Sequence, residues 1–255
     1  MTKPTQIANY FNDYFVNKVS KLREKMDCIV DSNSDELIKK FIMKDKLCNF
    51  EFNQVNVVQV EMLLRSLTVG GSAGTDNLDS RLLKLSAVYI SKPICHIFNR
   101  CLISGVCPKL WKEGKIIPLP KDTKLTFCGP NSRPISILPV LSKLLEKIVF
   151  KQVQDYFSHN DLTTMFQHAY RSGHSTCTAM TQMSDCWLTS IDDSMLVGTI
   201  LLDFSAAFDV IDHDILISKL ISYGFTSSAI KWFTSYLSER SQRVYLMVHY
   251  LEVSP

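Results

Sequence analysis

At 255 residues, with 46% hydrophobic and 21% charged side chains, the chain is long enough for one large domain or two small ones, and its composition is globular rather than disordered or fibrous. The net charge is only +3, but ten basic against four acidic residues between Arg100 and Phe157 leave +6 there and −3 elsewhere. Such an excess is the footprint of a polyanion partner, or of charged half-exposed helices.

No stretch approaches the ~18 apolar residues of a membrane span, and no charged n-region precedes an apolar h-region, so neither a span nor a secretory leader is expected. The eight cysteines are scattered without a CxxC pair, which suits reduced thiols in the cytosol or nucleus rather than a disulfide framework. Cys95, Cys101 and Cys107 recur every six residues beside His96, a spacing that invites a zinc reading. Six-residue steps turn a helix by about 600° and take the thiols off a shared face, so buried reduced cysteine is the expectation.

In chain order, Ile7, Tyr10, Phe11, Tyr14, Phe15 and Leu22 form one apolar stripe at helical spacing. Ser32 to Asp35 break the pattern and suit the cap of a short helix, Glu36 to Phe41. A helix is expected from Gln54 to Leu67, followed by the glycine-rich run Val69 to Gly74. No Gly-Lys-Ser/Thr follows that run, so it reads as a flexible loop rather than a phosphate cradle. Asp76 is the expected cap of a helix carrying Leu78, Leu82, Leu83 and Leu85, with Asp79 in its first turn.

Lys115 to Lys121 form an extended run punctuated by prolines, which suit edge strands. A polar turn and a second run, Arg133 to Leu138, make a hairpin that projects Lys121 and Arg133 from adjacent strands. The strongest helical pattern follows Pro139, with Leu141, Leu144, Leu145, Ile148, Val149, Val153 and Phe157 on its apolar side. Lys143, Lys147 and Lys151 sit four apart on a different face, either a solvated surface or a rail along a nucleic-acid backbone. Val197 to Leu202 reads as a strand ending on Asp203, with Phe208 five positions beyond. Asp209 and Asp212 shape a turn and cap a helix through Leu220, His213 starts it and Gly224 ends it.

Five segments in this order carry a resemblance. They are Arg133-Pro134-Ile135-Ser136, Leu141 to Lys147, Gln167 to Thr176, Leu202 to His213, and Trp232 to Gln242. Together they resemble the fingers and palm of a non-LTR, LINE-type retrotransposon reverse transcriptase, most similar to the Jockey and chicken-repeat lineages. The resemblance runs from about Gly71 to Val248. It implies an α+β fold, a partial right-hand polymerase with fingers and an incomplete palm (69–255) behind a helical N-terminal segment (1–68).

The activity it implies is RNA-directed DNA synthesis, in which a primer 3′-hydroxyl attacks the α-phosphate of a deoxynucleotide on an RNA template. Mg²⁺ is the implied cofactor, held by oxygen ligands. By the resemblance, Asp203 is the first-motif acid and metal ligand. Phe204 and Ser205 would present backbone N–H groups to the triphosphate, and Phe208 would pack under the sugar against a ribose 2′-hydroxyl. Lys121 and Arg133 would clamp the triphosphate from the fingers. Lys143, Lys147 and Lys151 would follow the nucleic acid, and Arg171 would order the fingers or contact the template.

Two departures accompany the resemblance. The family's Gln-x-Gly-Phe-Arg stands here as Gln167-His168-Ala169-Tyr170-Arg171, and an alanine there is strained if the backbone needs positive φ. The sequence also stops at Ser254-Pro255, about where the family continues into Pro-Gln-Gly and Ala-Asp-Asp. Both remaining catalytic acids belong to that second motif, so these 255 residues are expected to be inactive alone. A residual RNA- or DNA-binding module and a non-functional relic are the alternatives.

Overall fold

The computed structural model describes residues 4–27, 49–71, 73–122, 127–204 and 206–246. The expected helix from Glu36 to Phe41 lies outside them. Chain contacts divide the molecule into one unit of residues 1–153 with 208–255 and a second unit of residues 154–207.

In the first unit, the stripe of the opening residues becomes helix α1 (Pro4–Asp27), with Phe11 and Phe15 buried at 1% and 7% exposure. Helix α2 (Val57–Arg65) starts at Asn56, whose side chain accepts from the Gln59 N–H while the Gln59 side chain accepts from the Asn56 N–H. This reciprocal capping satisfies two orphan donors. Helix α3 (Ser80–Leu85) is capped by Asp79 rather than Asp76. Asp76 instead accepts from the Leu78 N–H two residues on, a local turn that competes with helix entry.

The glycine-rich run is not simply loose. A Cβ on Gly74 would stand 2.5 Å from the Pro139 nitrogen, so this glycine permits a close backbone approach. Helix α4 (Ala87–Ser104) ends on Gly105 in the left-handed conformation. Its buried stripe runs from Cys101 at one edge to Cys95 at the other, about 120° apart because six residues fall that far short of two turns.

Strands β1 (Glu113–Pro120) and β2 (Ser132–Ile137) form the expected hairpin, and β3 (Ser241–Val244) adds on the other side of β1 in parallel. The proline-bearing strand is thus central, not an edge. The geometry tolerates this. Pro118 faces Pro134 across the hairpin, so that pair exchanges no N–H bonds, and the β3 register stops at Ile116, short of Pro118.

Helix α5 (Val140–His159) buries Leu144, Leu145, Ile148 and Val149. Together with Val60, Leu64, Phe98 and Trp232 they form the main core. Helix α7 (His213–Ser222) is capped by Asp212, which accepts from the Asp214 and Ile215 N–H groups. It closes on Gly224 at φ 85°, with Gly224 N–H to Ile221 O and Phe225 N–H to Leu220 O, the paired bonds of a Schellman end. Helix α8 (Ser227–Leu237) carries Trp232 at 1% exposure.

The side-chain amides of Asn99 and Gln152 hydrogen-bond the backbone of Val55 and Asn53 respectively, standing in for a neighbouring strand. The unit is mixed α+β; among the described residues the whole chain has eight α-helices and one three-stranded sheet.

The second unit takes the last turns of α5 and helix α6 (Thr176–Asp192). Ser175 and Thr178 cap α6 reciprocally, but none of its residues is buried. The expected strand from Val197 to Leu202 is not formed. That stretch is irregular, and Ile200, Leu201 and Leu202 are 86%, 83% and 80% exposed. A continuous apolar run makes a strand by finding neighbours on both sides, and no described strand pairs with it.

Candidate nucleic-acid interface

The hairpin brings two expected residues together. Leu119 is opposite Arg133, and a Lys121 N–H to Asn131 O bond of 2.7 Å extends the ladder one pair beyond. Residues two apart on a strand share a face, so Lys121 and Arg133 are diagonal neighbours on one face of the hairpin. Both are exposed. The Lys121 ammonium donates to Pro130 O at 2.7 Å, while the Arg133 guanidinium has no hydrogen-bond acceptor among the described residues. Lys143, Lys147 and Lys151 are all exposed on α5, away from its buried leucines.

Asp203, Phe204 and Phe208 are exposed, the two aromatics at 77% and 71%. Asp203 and Phe204 belong to the second unit, Phe208 to the first. Ser205 lies outside the described residues. Among those residues no three histidine, cysteine or acidic side chains gather around a point. Asp203 alone offers one carboxylate, too small a donor set to hold Mg²⁺ without substrate oxygens.

Arg171 orders its own loop by donating to Thr164 O at 3.1 Å. The positive φ in this motif belongs to Tyr170 (58°), not Ala169, so the alanine carries no left-handed strain. His168, given no role by the sequence pattern, contacts Thr178 Oγ1 at 2.9 Å and Gln182 Oε1 at 2.7 Å, tying the loop to α6. Asp209 takes no part in capping α7; Asp212 does so alone.

Cys95, Cys101 and Cys107 are buried free thiols. Burial raises all three, with the neighbouring Cys107 also raising Cys101, to about 11. The positive charges of Lys112 and Arg240 oppose the rise at Cys107. The Tyr236 hydroxyl is likewise pushed up, first by burial and then by Glu146, to which it donates at 2.9 Å. Sequence patterning gave no signal for this last cluster, because it joins α5 to α8 across 90 residues.

Residues 119–252, just over half of the chain, match the reverse transcriptase (RNA-dependent DNA polymerase) family. A probable RNA-directed DNA polymerase from transposon BS of Drosophila melanogaster is 30% identical over 166 residues, 65% of this chain and 18% of the relative. The RNA-directed DNA polymerase from mobile element jockey of the same fly is 25% identical over 71% of this chain and 20% of its own length. The probable polymerase from transposon X-element is 26% identical over 72% of this chain and 20% of its own length. The chain therefore spans about a fifth of these curated relatives. No described helix is long and apolar enough to cross a membrane. With just over half of its residues matched by the family and its relatives among the polymerases of non-LTR retrotransposons, the chain belongs to the reverse transcriptase family.

Proposed function

We propose that these 255 residues are part of the RNA-directed DNA polymerase of a non-LTR retrotransposon, residues 69–255 supplying fingers and part of the palm behind a helical segment, 1–68. The observation that carries this reading is the pairing of Lys121 and Arg133 on one hairpin face, a point charge and a planar fork suited to a deoxynucleotide triphosphate. Asp203 is the metal-binding carboxylate of the first palm motif, Phe204 and Ser205 present N–H groups to the triphosphate, and Phe208 is the sugar gate. Lys143, Lys147, Lys151 and Arg171 face the RNA template and DNA primer.

Photo-crosslinking of an azido-deoxynucleotide tests the clamp: labelling lost in Lys121→Ala and Arg133→Ala supports it, and labelling unchanged in both rejects it. These residues alone supply one acid of the family's set, so primer extension with Mg²⁺ yields no product. Robust synthesis abolished by Asp203→Ala would overturn that expectation. The exposed lysine row supports a companion activity, salt-dependent retention of RNA. Charge reversal at Lys143, Lys147 and Lys151 weakens it.

A further inference from the structure

The sheet has a second face, and α1 lies across it. Gly114, Ile116 and Gln242 point away from the face that carries Lys121 and Arg133, by strand alternation. Near the start of α1 this interface is sealed, with Phe11 and Phe15 packed against Ile116. Farther along, it opens into a groove of about 440 Å³ whose lining includes Val19 and Ser20 of α1.

Three cations line the groove, Arg23, Lys112 and Arg240, and among the described residues no carboxylate does. Each is fixed by a main-chain carbonyl: Arg23 by Ile211 O at 2.7 Å, Lys112 by Ser238 O at 3.4 Å, Arg240 by Tyr236 O at 3.1 Å. Lys112 and Arg240 both act on the Cys107 thiol, so their charges converge. Glu146 accepts from the Tyr236 and Ser142 hydroxyls, and Glu113 is paired with Arg243 on the opposite sheet face at 2.7 Å.

Lys112 is the anomaly. It is only 6% exposed, yet among the described residues its ammonium, with three donors, has a single long hydrogen bond. A buried charge so poorly matched is costly unless an anion completes it.

We propose that this groove binds a phosphodiester of single-stranded nucleic acid. The phosphate lies between Arg23, Lys112 and Arg240, and the attached sugar or base rests on Val19 and Ile116. The volume is that of a small-ligand pocket, which admits one strand and excludes a duplex. The site rests on the reading that the chain binds nucleic acid, but it is separate from the nucleotide clamp and from the α5 lysines.

The test is fluorescence anisotropy of a short fluorescein-labelled single-stranded RNA with the 255-residue chain across a salt series. Arg23→Gln with Arg240→Gln removes two of the three cations on the one phosphate and makes the log–log salt slope shallower by about 0.7. Arg23→Lys with Arg240→Lys keeps the slope, and melting curves verify that both variants fold. An unchanged slope in the glutamine variant overturns the groove. If that occurs while reversal of Lys143, Lys147 and Lys151 abolishes binding, the nucleic-acid reading survives without it. Failure of the parent chain to bind RNA overturns both. Loss of inorganic phosphate or mononucleotide binding, with RNA binding intact, makes the groove a small-anion site and also rejects the proposal.

Discussion

Two apolar runs of similar character meet opposite ends in this molecule. Ile116 and Ile117 sit on a strand with a neighbour on each side and are 2% and 6% exposed. Ile200, Leu201 and Leu202 in the second unit have no ladder and stand more than three-quarters exposed. The difference is not in the residues but in what the rest of the chain brings to them. A strand is a relation between segments, and the hydrophobic pattern states only that partners are wanted.

Truncation of one side chain in each run separates their contributions to stability. Ile116→Ala leaves a cavity between α1 and the sheet and is expected to cost about 2–5 kcal/mol. Leu201→Ala removes an exposed side chain and should stay within about 0.5 kcal/mol. Urea melts of the two variants decide it. An equal loss from Leu201→Ala would mean that the 195–204 segment is packed in solution.

Thiol chemistry draws the same contrast. Cys177 and Cys186 on α6 are exposed, whereas Cys101 is buried with its thiol pushed up to about 11. Burial both shields Cys101 from reagent and suppresses its thiolate, so iodoacetamide at pH 8 should label α6 first, as peptide mass mapping would show. A thiol whose folded pKa lies above its unfolded value of 9.0 favours the fold below pH 9. That contribution is lost as pH climbs from 9 towards 11. Melting curves for Cys101→Ser against the parent chain should therefore converge over that interval.

Helix caps are a finer probe. Asp212→Ala removes two accepted N–H bonds from α7 and Ser175→Ala breaks the reciprocal cap of α6, each expected to cost about 1 kcal/mol. α7 is also held through buried Leu220, while α6 buries nothing. Amide exchange should thus speed up along all of α6 but only in the first turn of α7. Uniform acceleration in both would place them on equal footing.

Legibility in the sequence follows the range of the interactions. The stripe of α1, the apolar face of α5, the Lys121–Arg133 hairpin and the Gly224 helix end rest on spacing or turn chemistry within a few residues, and all four were readable. Asp79 displaced Asp76 as a cap because two carboxylates three residues apart compete for one helix start, a choice settled by backbone geometry. The central position of β1 depends on β3, more than 100 residues away. The Glu146–Tyr236 bond spans 90 residues, and Lys112 and Arg240 reach one groove from opposite halves of the chain, pairings that no local pattern announces. Asp203 was legible as a motif, whereas the strand expected before it was not obtained.

The smallest effect separates two adjacent residues of the second unit. The resemblance expects a glycine where Ala169 stands, yet the left-handed residue is Tyr170 at φ 58°. Restoring the glycine with Ala169→Gly therefore relieves no strain. It adds freedom to the unfolded chain and should lower stability by about 0.4–1 kcal/mol. Tyr170→Gly acts in the other direction on the backbone, because an L-residue in the left-handed region costs roughly 1 kcal/mol that glycine does not incur. The entropy that glycine returns to the unfolded chain offsets part of that gain, so Tyr170→Gly should lie within about 1 kcal/mol of the parent. Amide exchange of the 164–175 loop and α6 reads both variants. Stabilisation by Ala169→Gly would show that the turn in solution places its positive φ where the family's glycine stands.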